Sequence, residues 1–310
     1  MSTPRFAAIT TAHAKLNLAL QVLGLDACGY HAIRSVMISL ELADSLSLEA
    51  EGSITRTPSV DLEVRGGGHD VPDDDRNLAV RALRLFYEEH GGPSTVRMRL
   101  RKRIPSQAGL GGGSADAAAV LRALGIPRGL SYDELGELGA RLGSDIPFAI
   151  KGGAALVSGR GEHVQPFPVR GSWWVVLVQP VERISTAWCY RRWDELNPDM
   201  SRSTLATAPN TRPGCRLQDL QEGLEAGCLE DVVANLYNDL EHPVFDLHPH
   251  LQEIPRVLRE GGCAGALMTG SGSCFFGLAH SRAIARTAAA LTRARNLGWV
   301  HITRTRQETP

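Results

Sequence analysis

The sequence is short of the features that define several large classes of protein. No run approaches the ~18 uninterrupted apolar residues that a membrane helix requires. The opening stretch, MSTPRFAAITTAHAKLNLAL, has no basic segment followed by a long apolar one, so neither a secretory signal nor membrane association is expected. Charge of one sign is lacking as well: 33 Lys and Arg face 34 Asp and Glu, a formal net charge of −1. That argues against wholesale electrostatic binding to nucleic acid, although RMRLRKR (97–103) is a local basic stretch. The cysteines at 28, 189, 215, 228, 263 and 274 include no C-x-x-C pair, so reduced thiols in a cytoplasmic protein are the expectation. No internal repeat is visible. Two metal-like signals also fall short. DVPDDDRN (70–77) lacks the glycine and terminal glutamate of a calcium loop. HPVFDLHPHL (242–251) has histidines but no Cys partners and no H-E-x-x-H spacing.

What is present suits a globular chain of 310 residues, 43% hydrophobic and 22% charged, a length that favours two domains with separate cores. Apolar bursts in KLNLALQVLGL, IRSVMISLEL, DSLSLEA and VDLEVRG predict strands broken by turn signals such as DACGY. NLAVRALRLFYEEHG (77–91) predicts a helix with a glycine stop, and SYDELGELGARLG (131–143) one capped by Ser131 with Glu134 three residues on. KGGAALVSGRGEHVQPF (151–167) reads as a pair of short strands and WWVVLVQP (173–180) as a buried strand. Residues 198–215 are polar and turn-rich, an exposed loop. Helices are expected at LQDLQEGLEAG, DVVANLYNDL, HLQEIPRVLREGG and AIARTAAALTRARN, with strands at ALMTG, SGSCFFGLA and WVHITRT. The class is α+β, with a break near 168 that gives domains 1–168 and 169–310.

One segment carries chemistry. PSQAGLGGGSADAAAVLRAL (105–124) runs from a glycine-rich turn straight into a helical pattern. Glycines 109, 111, 112 and 113 let the backbone approach a ligand closely. Ser114 is expected to cap the helix, leaving free amides and the positive dipole end facing the loop. A flexible linker is the bland alternative, disfavoured between a strand and an uninterrupted helix. No G-x-x-x-x-G-K-[ST] occurs anywhere in the chain, and serine stands where a dinucleotide fingerprint has its third glycine. A nucleoside triphosphate is therefore the better-fitting ligand. Elsewhere the residues alone leave matters open. Asp145 reads equally as a solvated or capping aspartate, Lys15 as a strand-edge lysine, Tyr30 and His31 as surface turn residues, and the 269–273 Gly-Ser turn as a plain hairpin.

IPSQAGLGGGSADAA resembles the central phosphate motif of the GHMP small-molecule kinases. Its three-glycine form departs from the G-L-G-S-S-A-A of mevalonate and homoserine types. It is similar instead to the branch that phosphorylates a methylerythritol conjugate of cytidine diphosphate. AKLNLALQVLG (14–24), GYHAI (29–33), LGSDIPFAIKGGAALVSGRGE (142–162) and ALMTGSGSCFFGL (266–278) resemble further motifs of that branch, in order and over most of the chain.

The resemblance implies an N-terminal ATP-binding domain, a C-terminal ferredoxin-like domain, and ATP-dependent phosphoryl transfer to a hydroxyl. It implies Asp145 as the base, with Lys15 tuning charge beside it. Pro105, Ala108, Gly109, Leu110, Gly111, Gly112, Gly113 and Ser114 would hold the ATP phosphates, and Asn77 and Lys102 would lie near the adenine. Asn17, Tyr30, His31, Tyr190 and Thr186 would contact the second substrate, with aromatic faces on the base. Mg2+ would arrive on the nucleotide, and no dedicated protein metal site is expected. The partners implied are small molecules, for a monomer or weak homodimer. His13, Cys28 and Ala32 depart from the family pattern of proline, aspartate and glutamate at those places, which bears on substrate orientation. Another GHMP kinase, a catalytically dead nucleotide sensor and a nucleic-acid-binding module are the competing readings.

Overall fold

A computed structural model describes residues 5–26, 29–66, 71–201 and 216–307. Cys28, Asp70 and Cys215, and with them most of the expected 198–215 loop, lie outside the described residues. In chain order the elements begin with β1 (Arg5–Leu25), β2 (His31–Thr55), β3 (Ser59–Arg65), α1 (Leu78–His90), β4 (Gly92–Arg101) and α2 (Gly112–Gly125). Next come α3 (Tyr132–Ala140), α4 (Ile146–Lys151), β5 (Ala154–Gly159), β6 (His163–Phe167), β7 (Trp174–Gln179), α5 (Thr186–Leu196) and α6 (Pro198–Ser201). The last are α7 (Leu217–Ala226), α8 (Leu229–Ala234), β8 (Tyr237–Asn238), α9 (Glu241–Leu247), α10 (Glu253–Glu260), β9 (Gly265–Met268), β10 (Phe275–Ala279), α11 (Arg282–Ala294) and β11 (Trp299–Arg304).

The chain packs as two compact units, neither continuous in sequence. One holds residues 1–14, 42–106 and 111–151; the other holds 15–41, 107–110 and 152–310. This partition differs in kind from a single cut at 168, because β1 and β2 each contribute residues to both units.

In the first unit, β3 runs parallel to β4, and the second half of β2 pairs antiparallel with β4. Helix α1 has Asn77 as N-cap and ends at Gly91, the glycine stop the sequence predicts, and α3 opens on the predicted capping box between Ser131 and Glu134. Alternation along β4 sends Val96, Met98 and Leu100 inward, where they meet Leu83, Phe86 and Tyr87 of α1 and Val120 and Leu121 of α2. The alanine run of α2 is entirely buried, which lets neighbouring elements pack close against that helix.

In the second unit, the first half of β2 pairs with β5, β5 with β6, and β1 runs parallel to the short β8. A four-stranded antiparallel sheet has the order β11-β7-β10-β9. With α10 before β9 and α11 between β10 and β11, it forms the β-α-β-β-α-β arrangement of a ferredoxin-like domain. Val176, Val178 and Phe275 from that sheet pack against Trp193, Ile254, Leu258 and Ala288 from the helices.

Two local expectations are corrected. IRSVMISLEL and DSLSLEA are one strand, β2, not two. The Asp44 carboxylate at their junction is buried and occupied by protein donors, and the strand continues through it. DVVANLYNDL is not one helix: α8 stops at Ala234, and Tyr237–Asn238 become a strand because Ala19 and Leu20 of β1 offer a pairing edge. No described helix is long and apolar enough to cross a membrane.

Candidate active site

The first unit carries the second half of the glycine loop. Gly111 takes the left-handed conformation (φ 70, ψ 20) and turns the chain into α2 one residue later. Ser114 therefore lies inside the first turn and is not the N-cap it was expected to be. Gly111 occupies that position without a side-chain cap, and the first turn contains no acid. The leading amides of α2 are thus not consumed by a capping side chain, and the positive end of the helix dipole sits with them. A Cβ on Gly112 would come within 3.0 Å of Ile104 Cγ2 and 3.4 Å of Lys102 Nζ, so the turn is held tightly from behind. Ser114 Oγ is 4.0 Å from where a Cβ on Gly143 would stand. The turn leading into Asp145 is thereby brought beside the first turn of α2, and Asp145 itself precedes α4, its carbonyl accepting from Ala149 N–H at 3.1 Å.

Lys102 and Asn77 have structural partners in this unit. Both polar ends of the Asn77 side chain are engaged, Oδ1 accepting from Ala79 N–H (2.9 Å) and Nδ2 donating to Pro72 O (2.7 Å). The Lys102 ammonium is buried, donating to Asp116 Oδ2 at 2.6 Å and to Asp44 Oδ2. The other Asp44 oxygen accepts from the Arg103 and Ile104 amides, the latter at 2.9 Å. One ammonium thus joins the end of β4 to the second turn of α2. Burial pulls the Lys102 pKa down, but the carboxylates of Asp116 and Asp44 outweigh it and the net shift is upward. Burial pushes Asp116 up to about 7 even though Lys102 pulls it down, and Asp44 adds to the rise. Two carboxylates share one cation, so their charge is only partly offset. Neither aspartate was singled out in the sequence, where nothing near them marks a partner 58 or 14 residues away.

In the second unit, Lys15, Asn17 and Ala19 share a face of β1 by strand alternation. Lys15 Nζ donates to Asn17 Oδ1 (2.6 Å), Asn17 Nδ2 donates to Ser35 Oγ (2.8 Å), and Ser35 Oγ donates to Ala19 O (2.6 Å). The chain is consistent in one direction only. An ammonium has no acceptor, so the amide oxygen must face it, and the serine spends its single proton on the carbonyl. Lys15 N–H also donates to Leu110 O (3.0 Å), which ties the strand to the 107–110 half of the glycine loop. Gly109 (φ 73) lies so close to the second glycine turn that a Cβ there would meet Thr269 O at 2.4 Å. The 269–273 turn is therefore both the β9–β10 connection and the wall against which Gly109 rests. Its position is held by Asn17 N–H donating to Thr269 Oγ1 (3.0 Å) and by Asn238 Nδ2, which donates to the carbonyls of Met268 (2.8 Å) and Gly270 (2.9 Å). Thr186 Oγ1 shares a hydrogen bond with Ser271 Oγ at 2.8 Å.

Two of the expected ring residues, His31 and Tyr190, meet within this unit. The His31 and Tyr190 rings are 4.9 Å apart, and Trp193 stands edge-on to His31 at 5.8 Å. His31 Nε2 shares a 2.7 Å hydrogen bond with Asp194 Oδ1. Tyr30 is 61% exposed, with the Arg160 guanidinium 4.6 Å from its ring centre. Arg160 is held in turn by Asp26 Oδ2 at 2.6 Å. Asp26, Arg34, Arg160, Glu162 and His163 line a cleft of about 330 Å³ beside this group. Asp194 is a residue the sequence reading missed. The signal was present: Thr186, Tyr190 and Asp194 recur at four-residue spacing, which puts them on one face of α5. That segment was not read as a helix. Among the described residues, no group of three or more His, Cys, Asp or Glu side chains is placed to hold a metal ion.

The chain is similar to proteins of known family over most of its length. Residues 77–153 match the model of the GHMP kinases N terminal domain, and residues 220–296 that of the GHMP kinases C terminal domain. A 4-diphosphocytidyl-2-C-methyl-D-erythritol kinase of Heliobacterium modesticaldum is 42% identical over 286 residues, which is 90% of this chain and 88% of that one. One from Bacillus pumilus is 37% identical over 86% of each chain. Among solved structures, a 4-(cytidine 5'-diphospho)-2C-methyl-D-erythritol kinase superposes with a TM-score of 0.74 at 33% identity, covering 98% of this chain and 100% of that one. A homoserine kinase from Cytophaga hutchinsonii shares the fold (TM-score 0.73, 17% identity, 97% and 95% coverage). With identity at this level over nearly the whole length, and with both halves matched in order, the chain belongs to the 4-diphosphocytidyl-2-C-methyl-D-erythritol kinases of the GHMP superfamily.

Proposed function

We propose that this protein transfers the γ-phosphoryl group of ATP to the 2-hydroxyl of 4-diphosphocytidyl-2-C-methyl-D-erythritol, a step in non-mevalonate isoprenoid biosynthesis. The observation that carries the reading is the uncapped first turn of α2, opened by left-handed Gly111, with the turn before Asp145 packed beside it. Amides at residues 112–114 supply the donors that an ATP phosphate needs, with Pro105, Ala108, Gly109 and Leu110 shaping the loop before them. The substrate oxygen attacks the γ-phosphorus in line, the bond to the β,γ-bridging oxygen breaks, and ADP leaves without a phosphoenzyme. Asp145 takes the hydroxyl proton, and the Lys15 ammonium, oriented by Asn17, favours the charge that develops. Mg2+ entering on the nucleotide would neutralise phosphate charge, with the Ser114 hydroxyl, inside the first turn of α2, available to assist.

Tyr30, His31, Tyr190 and Thr186 form the side that takes the cytidine end. Asn77 and Lys102 act on the nucleotide side from their capped and ion-paired positions. The sequence-contiguous domains we propose, 1–168 and 169–310, each contain one of the matched family spans. The reading is of a cytoplasmic enzyme, a monomer or weak homodimer, with small-molecule partners only. An ATP-coupled assay with the cytidine conjugate, mevalonate and homoserine tests it. Turnover should be confined to the cytidine conjugate, and preferential turnover of either other alcohol would overturn the substrate assignment.

A further inference from the structure

We propose that Asp194 is a specificity-determining positioning residue: by fixing the tautomer of His31, it makes the site select a pyrimidine carrying an amino group over one carrying an oxo group. This rests on the reading of His31 as part of the cytidine site. A carboxylate accepts hydrogen bonds and cannot donate them. The 2.7 Å contact between Asp194 Oδ1 and His31 Nε2 therefore requires the ring proton on Nε2. In the neutral imidazole Nδ1 is then an acceptor, and no other hydrogen bond to the ring is formed among the described residues. The ring is also hindered from turning over, which would put a carbon where each nitrogen stands. Tyr190 lies against it at 4.9 Å, Trp193 is edge-on at 5.8 Å, and the side chain is only 12% exposed.

An acceptor held in this way pairs with an exocyclic amino group, as on cytosine, and meets a carbonyl oxygen, as on uracil, lone pair to lone pair. Sites built to hydrogen-bond one polar group reject the analogue that lacks it, because the site group is left unpaired. Asp194 itself need not touch the substrate. It stands on α5 one turn beyond Tyr190 and acts through His31.

The test compares kcat/KM for the cytidine conjugate and its uridine analogue at pH 8, in the wild-type enzyme and in Asp194→Asn. Asparagine can present either its oxygen or its NH2 to Nε2, which releases the tautomer. The cytidine-to-uridine ratio is expected to fall at least tenfold in the variant, chiefly through faster use of the uridine analogue. An unchanged ratio overturns the proposal while leaving the kinase reading intact; a wild-type enzyme that uses neither substrate overturns the kinase reading instead. A measurement on the wild-type protein stands independently of whether the variant folds. Nitrogen-15 NMR of labelled histidine should show His31 protonated on Nε2 at pH 8, and a proton on Nδ1 alone would sink the proposal.

Discussion

At the scale of single residues, the first unit is organised around charges that would be costly to bury alone. Lys102 is held by Asp116 and Asp44, which places a cation directly behind the turn that opens α2. Replacing it by methionine leaves two buried carboxylates without their cation, and breaking such a pair from one side costs roughly 3–5 kcal/mol. Urea unfolding of Lys102→Met should show a loss of that order; a loss below about 1 kcal/mol would mean the ion pair resembles an exposed surface pair. Asp145, which we propose as the general base, is the opposite case, a carboxylate kept for chemistry. Asp145→Ala is expected to lower kcat at least ~10²-fold with little change in thermal midpoint, since general-base groups contribute that much to turnover. Normal turnover by the variant would remove Asp145 from the mechanism.

At the scale of elements, the glycine loop, which we propose holds ATP, illustrates how geometry rather than side-chain chemistry makes a binding surface. Gly109 is needed because the 269–273 turn leaves no room: an alanine there would place its Cβ 2.4 Å from Thr269 O in a backbone conformation unfavourable to any other residue. Gly109→Ala should therefore raise the KM for ATP and lower stability together. Steady-state kinetics beside a melting curve will show this, and an unaltered KM would indicate that the loop tolerates displacement. Much of this level was legible in advance. The capped ends of α1 and α3, the glycine turn and the β5–β6 pair are written in neighbouring residues, because caps and turns are local hydrogen-bonding arrangements. The exceptions are instructive. IRSVMISLEL and DSLSLEA looked like two strands and are one, β2, and Tyr237–Asn238 looked helical and pair with β1, each because a distant partner outbid the local preference.

At the scale of the whole molecule, each unit carries a buried acid whose pKa is raised on folding. In the second unit, burial pushes the Glu241 carboxyl up to about 7, against the Met268 N–H and Arg259, both of which pull it down. In the unfolded chain that carboxyl releases its proton at its ordinary value near 4.5. Between the two values the folded state binds more protons, so stability falls as pH rises through this window and the cost is fully present above 7. Asp116 acts in the same direction in the first unit. Glu241→Gln retains an acceptor for Met268 N–H and removes the charge. Its stability should decline less than that of the wild type between pH 5 and 8, and it should be the more stable protein at pH 8. Denaturant titrations at both pH values decide it; parallel declines would show that Glu241 is not the group responsible.

Taken by itself, the sequence determined the α+β class, the glycine turn running into α2, and, through motifs kept in order, the family. These depend on residues close together in the chain, where spacing and backbone preference suffice. Only the tertiary structure decided which polar groups serve which others: Asp44 and Asp116 on Lys102, Ser35 on Asn17, Asp194 on His31, Asn238 on the second glycine turn. Those assignments join positions from 14 to 163 residues apart. A hydrogen bond or a buried ion pair is defined by where two side chains meet in space, which spacing along the chain does not encode. The division into two interleaved units was hidden for the same reason, since β1 and β2 pass through both without any break in composition.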